Sequence, residues 1–349
     1  MKDSFWKKIK KPIYALAPMA NVTDAAFRQI IAKYGKPDLM YTEFVSCDGL
    51  LSDGRESLLL DLKFTEAERP IIAQFFTCQP ENMQACARLA AELGFDGIDI
   101  NMGCPDRSIE RQGAGAALIK TPKLARELIQ AAKDGAGGLP VSVKTRLGYN
   151  KDILDEWLPE VLKAEPAAVI LHARTRKEMS AVAAHWNRVA DAVKIRNDLK
   201  SETLILGNGD VKDLDEAVAK IKETGCDGVM IGRGIFGNPW LFSRERDYRE
   251  VGLEEKLAVM LEHTFLYEQM FSRPGGQAGK KSFDVMKKHY KAYVTGFDGA
   301  KELRVKLMEC KTAAEASKLV MPYLPARNAL ASEAGGIRHP DWIPARGPE

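Results

Sequence analysis

Eight short apolar runs, each followed by a segment with apolar residues at helical spacing, constrain the fold of this chain more than any other feature. The runs lie at residues 13–17, 39–42, 71–75, 97–101, 141–144, 168–172, 204–207 and 228–231. Strands that alternate with helices at this interval predict a parallel sheet. Eight such repeats predict a (β/α)8 TIM barrel, and a doubly wound open sheet is the structural alternative.

Polar residues follow the predicted strands at the point where each strand ends. In a barrel these ends meet on one face, and that face is where ligands bind. The candidates at these ends are Gln74, Asn101, Cys104, Lys144, Arg146, His172, Asn208, Asp210 and Arg233. Glycines flank Arg233 ahead of a helix, which is typical of a barrel phosphate site. Lys144 could instead be a surface strand end, and His172 a core histidine.

Cys104 is the most informative of these residues because its backbone is constrained on both sides. Gly103 allows backbone conformations closed to other residues, and Pro105 restricts Cys104 to extended conformations. A thiol is therefore held on a loop with little freedom at the end of the fourth run. The alternative is that Cys104 is a small buried hydrophobic residue, as most free cysteines are.

The pattern changes after Trp240. Residues 253–270 and 280–321 carry apolar residues at helical spacing without intervening strands, which predicts a small helical domain. We therefore expect a catalytic barrel over residues 1–245, a helical domain over residues 250–322 and an extended, proline-containing tail over residues 323–349.

Basic charge is concentrated near the C-terminus. Residues 270–311 contain ten Lys and Arg against four Asp and Glu, whereas the whole chain has a net charge of +3. This concentration favours a polyanionic partner. A solvated helical face is the alternative interpretation.

The six cysteines are spread along the chain, and none forms a CxxC pair. This spacing indicates neither a zinc site nor a disulfide framework, so we expect no metal and a reducing, cytoplasmic environment. A lysine-rich stretch over residues 1–11 is not followed by a long apolar run or a cleavage site, and no apolar stretch is long enough to span a bilayer. We therefore expect no targeting segment and no membrane contact.

Six motifs, taken together, resemble those of the tRNA-dihydrouridine synthase family. They are APMANVTD (17–24), DINMGCP (99–105), VKTRLG (143–148), HARTR (172–176), GNGD (207–210) and GVMIGRGIFGNPW (228–240). The resemblance implies an FMN-containing barrel followed by a helical RNA-binding domain. It also implies NAD(P)H-dependent reduction of the C5–C6 double bond of particular uridines in tRNA.

The resemblance also assigns roles to individual positions of this chain. The residues that would hold the flavin ring are Pro18, Met19, Ala20 and Gln74. The residues beside its polar edge would be Lys144 and His172. The residues at its ribityl and phosphate end would be Asn208, Gly209, Asp210, Gly232 and Arg233. Asn101 would contact the target base, and Cys104 would donate a proton, because a thiol with a pKa of about 8.5 stays mostly protonated at neutral pH.

Phosphate contacts with tRNA would come from basic residues at the barrel mouth and in the helical domain. These candidates are Arg174, Arg176, Lys280, Lys281, Lys287, Lys288 and Arg304. We expect a monomer in which NADPH or NADH and tRNA take turns at the flavin. Two alternatives remain open: an FMN barrel that acts on a free small molecule, as dihydroorotate or dihydropyrimidine dehydrogenases do, and a non-catalytic tRNA-binding protein.

Overall fold

The computed structural model describes residues 5–271 and 281–325, and a sheet of eight parallel strands lies at its centre. The strands are β1 Ile13–Leu16, β2 Met40–Ser46, β3 Ile71–Phe76, β4 Gly97–Met102, β5 Val141–Arg146, β6 Ala168–His172, β7 Leu204–Asn208 and β8 Gly228–Ile231. Each predicted run corresponds to one of these strands. Their order across the sheet is β1-β8-β7-β6-β5-β4-β3-β2, so each strand from β2 to β8 lies beside the next one in sequence, and β1 pairs with β8.

The sheet closes on itself between β1 and β2. A parallel bridge pairs Ala15 with Leu39. The Leu16 N–H donates to the Leu39 carbonyl at 3.0 Å, and the Asp38 N–H donates to the Tyr14 carbonyl at 3.0 Å. A doubly wound sheet would leave two free edges, so this pairing excludes it. The predicted (β/α)8 barrel is confirmed.

Strand β2 is longer than the run that predicted it. Its register against β3 shifts between Tyr41 and Phe44, and polar residues occupy the irregular part. The Thr42 hydroxyl accepts a hydrogen bond from the Gln74 N–H at 3.1 Å, which bridges the irregularity and lets the strand continue. A local irregularity of this kind carries no apolar pattern, so the sequence predicted only the first part of the strand.

Helices alternate with the strands and, apart from α1, which precedes β1, cover the outside of the barrel. They are α1 Phe5–Lys8, α2 Ala25–Tyr34, α3 Cys47–Leu50, α4 Arg55–Leu58, α5 Pro80–Glu92, α6 Arg107–Arg111, α7 Pro122–Gly135, α8 Leu154–Leu162, α9 Trp186–Asp198 and α10 Leu214–Thr224. Short 3-10 helices lie at Glu66–Glu68, Gly115–Lys120, Arg233–Ile235 and Tyr248–Glu250. Side-chain caps start several helices: Asp24 caps α2 by accepting the Phe27 N–H at 3.0 Å.

Two large apolar clusters stabilise the barrel. The larger lies between the strands and the helices that surround them, and it includes Ile98 and Ile100 of β4. The smaller fills the barrel interior, where Trp6 of α1 packs with residues such as Ile13 and Ala168. Trp6 is only 4% exposed, so α1 closes the amino end of the barrel.

Four further helices follow the barrel. They are α11 Leu253–Phe271, α12 Met286–Tyr293, α13 Ala300–Leu307 and α14 Ala313–Val320, with 3-10 helices at Phe283–Val285 and Met321–Tyr323. The stretch predicted as helical over residues 280–321 is divided because Gly296 and Gly299 adopt φ of +81° and +84°, which a helix cannot accommodate. Helix α11 packs directly on α2 of the barrel. The domain boundaries near residues 245–250 and 322 stay a prediction.

Two predictions fall on residues that the structure does not describe. These are the RNA contact assigned to Lys280 and most of the extended tail, from residue 326 onward. Among the helices of residues 5–271 and 281–325, none is both long enough and apolar enough to cross a bilayer.

A pair of buried histidines lies where α11 and α12 meet α2. His263 and His289 are both fully buried, and their ring centroids lie 4.6 Å apart. Both rings also contact Phe27 of α2, at 4.8 Å and 4.7 Å between centroids. Within the described residues, their ring nitrogens have no hydrogen-bond partner. Burial lowers the pKa of His263 well below its ordinary value and lowers the pKa of His289 to about 3.

These two histidines are expected to make the fold sensitive to mild acid. The unfolded chain binds protons at histidine below about pH 6.5, whereas the folded chain keeps both rings neutral. The free energy of unfolding should therefore fall by about 2 kcal/mol per histidine between pH 7 and pH 5. Replacing both by phenylalanine (His263→Phe with His289→Phe) should flatten this loss, as measured by urea unfolding at the two pH values. His185→Gln serves as the control, because the His185 side chain is 42% exposed. Equal acid sensitivity of the double variant and the unmodified protein would contradict the prediction.

Candidate active site

The predicted site residues converge because side chains alternate between the two faces of each strand. Ile98 and Ile100 of β4 face the surrounding helices, so Asn101 and its alternate neighbours point into the barrel. Two hydrogen bonds link inward-facing residues from different strands at the carboxyl edge. Asn101 Nδ2 donates to Gln74 Oε1 at 3.1 Å, and Lys144 Nζ donates to Asn208 Oδ1 at 3.2 Å.

The loop that carries Cys104 is anchored to the barrel at its backbone. Asn101 Oδ1 accepts the N–H groups of Gly103 at 3.1 Å and of Cys104 at 2.9 Å. The Cys104 carbonyl accepts the Ala116 N–H at 2.9 Å. The thiol itself is half-buried. Burial raises the pKa of Cys104, so the thiol stays protonated at neutral pH and can give up a proton.

Two glycines shape this loop, one of them for a different reason than predicted. Gly115 has a φ of +61°, and a Cβ there would lie 2.8 Å from the Cys104 carbonyl oxygen. Gly103 does not adopt a left-handed conformation. Instead, a Cβ at Gly103 would lie 3.3 Å from the backbone of Thr145 in β5. Glycine at 103 therefore permits close packing of the loop on the neighbouring strand.

Lys144 presents a cation at the barrel mouth. Asn208 Nδ2 donates to the Met230 carbonyl at 2.8 Å, which turns Asn208 Oδ1 toward the ammonium. Burial, aided by the nearby Arg146, lowers the pKa of Lys144 to about 8. The amine is consequently still mostly protonated at neutral pH.

His172 is a neutral imidazole with a defined proton position. Its Nε2 lies 3.2 Å from a guanidinium nitrogen of Arg174. Because a guanidinium can only donate, Nε2 must accept, and the ring proton is assigned to Nδ1. Burial, together with the cation of Lys144, lowers the pKa of His172 well below its ordinary value. His172 therefore offers an N–H donor without adding positive charge.

The loops after β7 and β8 bring a carboxylate and an exposed arginine together. Asp210 accepts from Arg233 at 2.7 Å and from Arg174 through its other oxygen. The hydrogen bond from Arg174 lowers the pKa of Asp210. The side chain of Arg233 remains 64% exposed. Gly209 lies in the same turn, with a φ of +132°.

The turn after β1, which contains Pro18, Met19 and Ala20, lies against the end of β8. A Cβ on Gly232 would lie 3.4 Å from the Met19 sulfur. The Thr23 hydroxyl fixes this turn by accepting the Met19 N–H at 2.8 Å. The structure thus brings the predicted flavin-contacting residues from the carboxyl ends of six strands to one edge of the barrel.

Arg174 and Arg176 do not fit their predicted role in binding RNA phosphates. The side chain of Arg174 is only 2% exposed and pairs with Asp210. Arg176 forms a two-pronged pair with Glu110 of α6. Both guanidinium groups are therefore used within the barrel rim, where they tie the loop after β6 to its neighbours.

Lys281 also differs from its prediction. Its side chain is 13% exposed, and its amine lies 2.5 Å from Glu43 and 2.7 Å from Asp61. Such an ammonium joins the C-terminal region to the barrel and is not available to RNA. Two other candidates are partly engaged: Lys287 pairs with Asp284 at 2.7 Å, and Arg304 donates to the Val294 carbonyl at 2.6 Å. Lys288 is exposed and, among the described residues, pairs with no carboxylate.

The structure gives roles to two charged residues that the sequence left unassigned. Arg146 donates to the carbonyls of Gly103 at 2.7 Å and Thr175 at 3.1 Å, so it joins the Cys104 loop to the loop after β6. Asp99 lies fully buried in the middle of β4. Asp99 stands inside an otherwise apolar run, which was a visible signal, but the partners of Arg146 and Asp99 could not be read from the sequence.

The chain is similar to one protein family and to several known proteins. A family model described as Dihydrouridine synthase (Dus) matches residues 15–328. A Bacillus subtilis (strain 168) protein named "Probable tRNA-dihydrouridine synthase 2" is 41% identical over 322 residues, which is 92% of this chain and 96% of the relative. A Staphylococcus epidermidis protein named "Probable tRNA-dihydrouridine synthase" is 39% identical over 322 residues, with coverage of 92% and 96%. The solved structure of morphinone reductase in complex with tetrahydroNAD aligns with a TM-score of 0.48 and 13% identity over 70% of this chain and 88% of that chain.

The fold and the site define a barrel enzyme that carries a thiol, an ammonium and a neutral imidazole at the carboxyl ends of three neighbouring strands. The family match spans most of the chain, and the relatives are matched over nearly their whole length. The chain belongs to the dihydrouridine synthase family. The resemblance inferred from the six motifs is confirmed.

Proposed function

We propose that this protein reduces the C5–C6 double bond of particular uridines in tRNA to 5,6-dihydrouridine, with FMN bound at the barrel mouth and NAD(P)H as the reductant. One observation carries the proposal: a protonated thiol, Cys104, stands at the same edge as the cation of Lys144 and the N–H donor of His172. Saturation of a carbon–carbon double bond needs a hydride and a proton, and no ordinary side chain supplies the hydride. Family membership and the names of the relatives support tRNA as the substrate.

The residues at the mouth fit FMN in the chemistry of their donors. Lys144 and His172 would lie beside the polar edge of the ring, where a cation and an N–H donor stabilise negative charge. Gly209, Asp210, Gly232 and Arg233 would form the phosphate end. Gly232 leaves open a gap toward Met19 that a side chain would fill, and the exposed Arg233 offers a fixed positive charge. When bound, FMN supplies the hydride transfer that the protein cannot.

Residues of the chain then handle the proton and the base. Cys104 would donate its proton to C5 of the uracil, and its raised pKa keeps that proton in place until it is needed. Asn101 uses one amide hydrogen on Gln74 and keeps a second for the base. Gln74 is fully buried, but its amide likewise retains one hydrogen for a cofactor, since an amide nitrogen carries two.

The RNA must present its uridine unstacked, because a stacked base cannot enter a barrel mouth. We propose that the exposed lysines of α12 position the tRNA through its phosphates and that the protein acts as a monomer. Lys288 and Lys291 are both exposed and lie three residues apart, so they share one face of the helix. Lys287 contributes less because Asp284 already pairs with it.

Replacing Lys288 and Lys291 together with alanine is expected to weaken tRNA binding without affecting NAD(P)H oxidation. The slope of log affinity against log salt should shrink by about one for each phosphate contact that is lost. A gel shift over a salt series measures both the affinity for tRNA and its dependence on salt. The double replacement of Lys7 and Lys8 is the matched control, because these exposed lysines lie on α1 at the opposite end of the barrel. Unchanged affinity in the α12 variant would assign its lysines to a solvated surface.

Incubation of the purified protein with FMN, NADPH and unmodified tRNA transcripts tests the function directly. Dihydrouridine in the tRNA, detected by mass spectrometry, is the expected product. Reduction of a free pyrimidine, without formation of dihydrouridine in tRNA, would favour the small-molecule alternative. Binding of tRNA by a protein that takes up no flavin would favour the non-catalytic alternative.

A further inference from the structure

Asp99 is a buried carboxylate inside the barrel, below the residues of the candidate active site. It lies on β4 and is fully buried. Asp99 Oδ2 accepts from Gln74 Nε2 at 2.6 Å, and Asp99 Oδ1 accepts from the Ser142 hydroxyl at 2.6 Å. An ionised carboxylate can only accept hydrogen bonds, so both partners must present a donor to it.

Because Asp99 can only accept hydrogen bonds, it fixes the donor and acceptor of each hydrogen bond between itself and the Cys104 backbone. Because Gln74 turns its NH2 group toward Asp99, its carbonyl oxygen must face the other way, where it accepts from Asn101 Nδ2 at 3.1 Å. Asn101 must then turn its own oxygen outward, where it accepts the backbone N–H groups of Gly103 and Cys104. Reversal of either amide would place two donors or two acceptors against each other. A single carboxylate therefore orients two amides and the loop beyond them.

The surroundings of Asp99 favour its ionised form at neutral pH. Burial raises the pKa of Asp99 to about 6, while the hydrogen bonds from Ser142 and Gln74 and the charge of Lys144 oppose this rise. The hydroxyl of Tyr41 on β2 is a further titratable group that interacts with Asp99. Below about pH 6 the carboxyl gains a proton, becomes a donor and loses its fixed polarity.

We propose that Asp99 is a positioning residue that sets the donor–acceptor direction of the chain Asp99–Gln74–Asn101 and so holds the backbone of Cys104 in its working position. The inference rests on the proposed role of Cys104 as proton donor. Asp99 would act through Gln74 and Asn101, because its carboxylate bonds to Gln74 and Ser142 and not to the thiol.

Hydrogen–deuterium exchange of the full-length protein tests this series of hydrogen bonds without depending on activity. In Asp99→Asn, the peptide that contains the Gly103 and Cys104 amides should exchange about fivefold faster, as loss of one typical hydrogen bond predicts. The unmodified protein should show the same loss of protection at pH 5, after correction for the intrinsic exchange rate. Asp227→Asn, which alters a carboxylate at the amino end of the barrel that pairs with Arg196, is the control and should leave this peptide unchanged.

Dihydrouridine formation supplies the second measurement. Asp99→Asn should lower the turnover number while leaving the KM for tRNA unchanged. The rate of the unmodified protein should fall below about pH 6, where Asp99 gains a proton, and Asp99→Asn should not show this fall. Unchanged exchange at Gly103 and Cys104, both in Asp99→Asn and at pH 5, would overturn the inference even if the unmodified protein makes dihydrouridine. Faster exchange with unchanged turnover would equally overturn the positioning role. Failure of the unmodified protein to form dihydrouridine in tRNA would instead count against the proposed function. The exchange result would still show whether Asp99 orients the hydrogen bonds through Gln74 and Asn101.

Discussion

Cys104→Ala is expected to lose most dihydrouridine formation while still binding FMN and tRNA. The thiol is half-buried at the barrel mouth, and its raised pKa keeps it protonated. Removal of a general acid typically lowers a rate by about 10²- to 10⁴-fold. Cys104→Ser should be nearly as slow, because a hydroxyl of similar size is a much weaker acid. Single-turnover formation of dihydrouridine at saturating tRNA measures the loss.

The matched control is Cys78→Ala. Cys78 is the other half-buried cysteine and follows β3, but it is not anchored to Asn101. Its replacement should leave turnover unchanged, which separates loss of the acid from loss of a thiol in general. Unaltered turnover in Cys104→Ala would remove this residue from the mechanism.

Arg28→Met is expected to destabilise the fold more than any surface substitution. Arg28 of α2 is fully buried, and its guanidinium donates to Glu68 at 2.6 Å and to the carbonyl of Thr23 at 2.8 Å. Methionine leaves the Glu68 carboxylate buried without its counter-ion. Breaking a buried pair in this way costs about 3–5 kcal/mol.

Urea unfolding at pH 7 measures this cost. The double variant Arg28→Met with Glu68→Gln should recover part of the loss, because it removes the uncompensated charge as well. Arg246→Met is the control: Arg246 pairs with Glu255, but their side chains are 43% and 35% exposed. Exposed pairs contribute about 0–1 kcal/mol. A loss in Arg28→Met no larger than in this control would contradict the prediction.

Much of the fold could be predicted because the signal is local. A buried strand needs a short apolar run, and the regular return of such runs predicted all eight strands and the barrel they form. The convergence of Lys144, His172 and Asn208 followed as well, because strand ends in a barrel meet at one edge. The motif resemblance added the roles of these residues, which periodicity alone could not supply.

The partners of charged residues could not be predicted, because they are distant in sequence. Lys281 was expected at a phosphate, but it pairs with Glu43, which lies 238 positions away. Arg176 was also expected at a phosphate, but it pairs with Glu110 on α6. Local composition shows that a lysine or arginine is present. Only the folded structure shows whether a carboxylate pairs with it. Asp99 illustrates the same limit, since its importance depends on Gln74 in a neighbouring strand.

The plug that Trp6 forms at the amino end of the barrel has a kinetic consequence. With one end sealed by apolar side chains, the proposed reductant and the RNA would approach from the same side. In the proposed reaction we expect that neither occupies the mouth while the other is there, so the oxidised nucleotide would depart before the nucleic acid enters. Such an order gives ping-pong kinetics, with parallel lines in double-reciprocal plots of rate against either substrate.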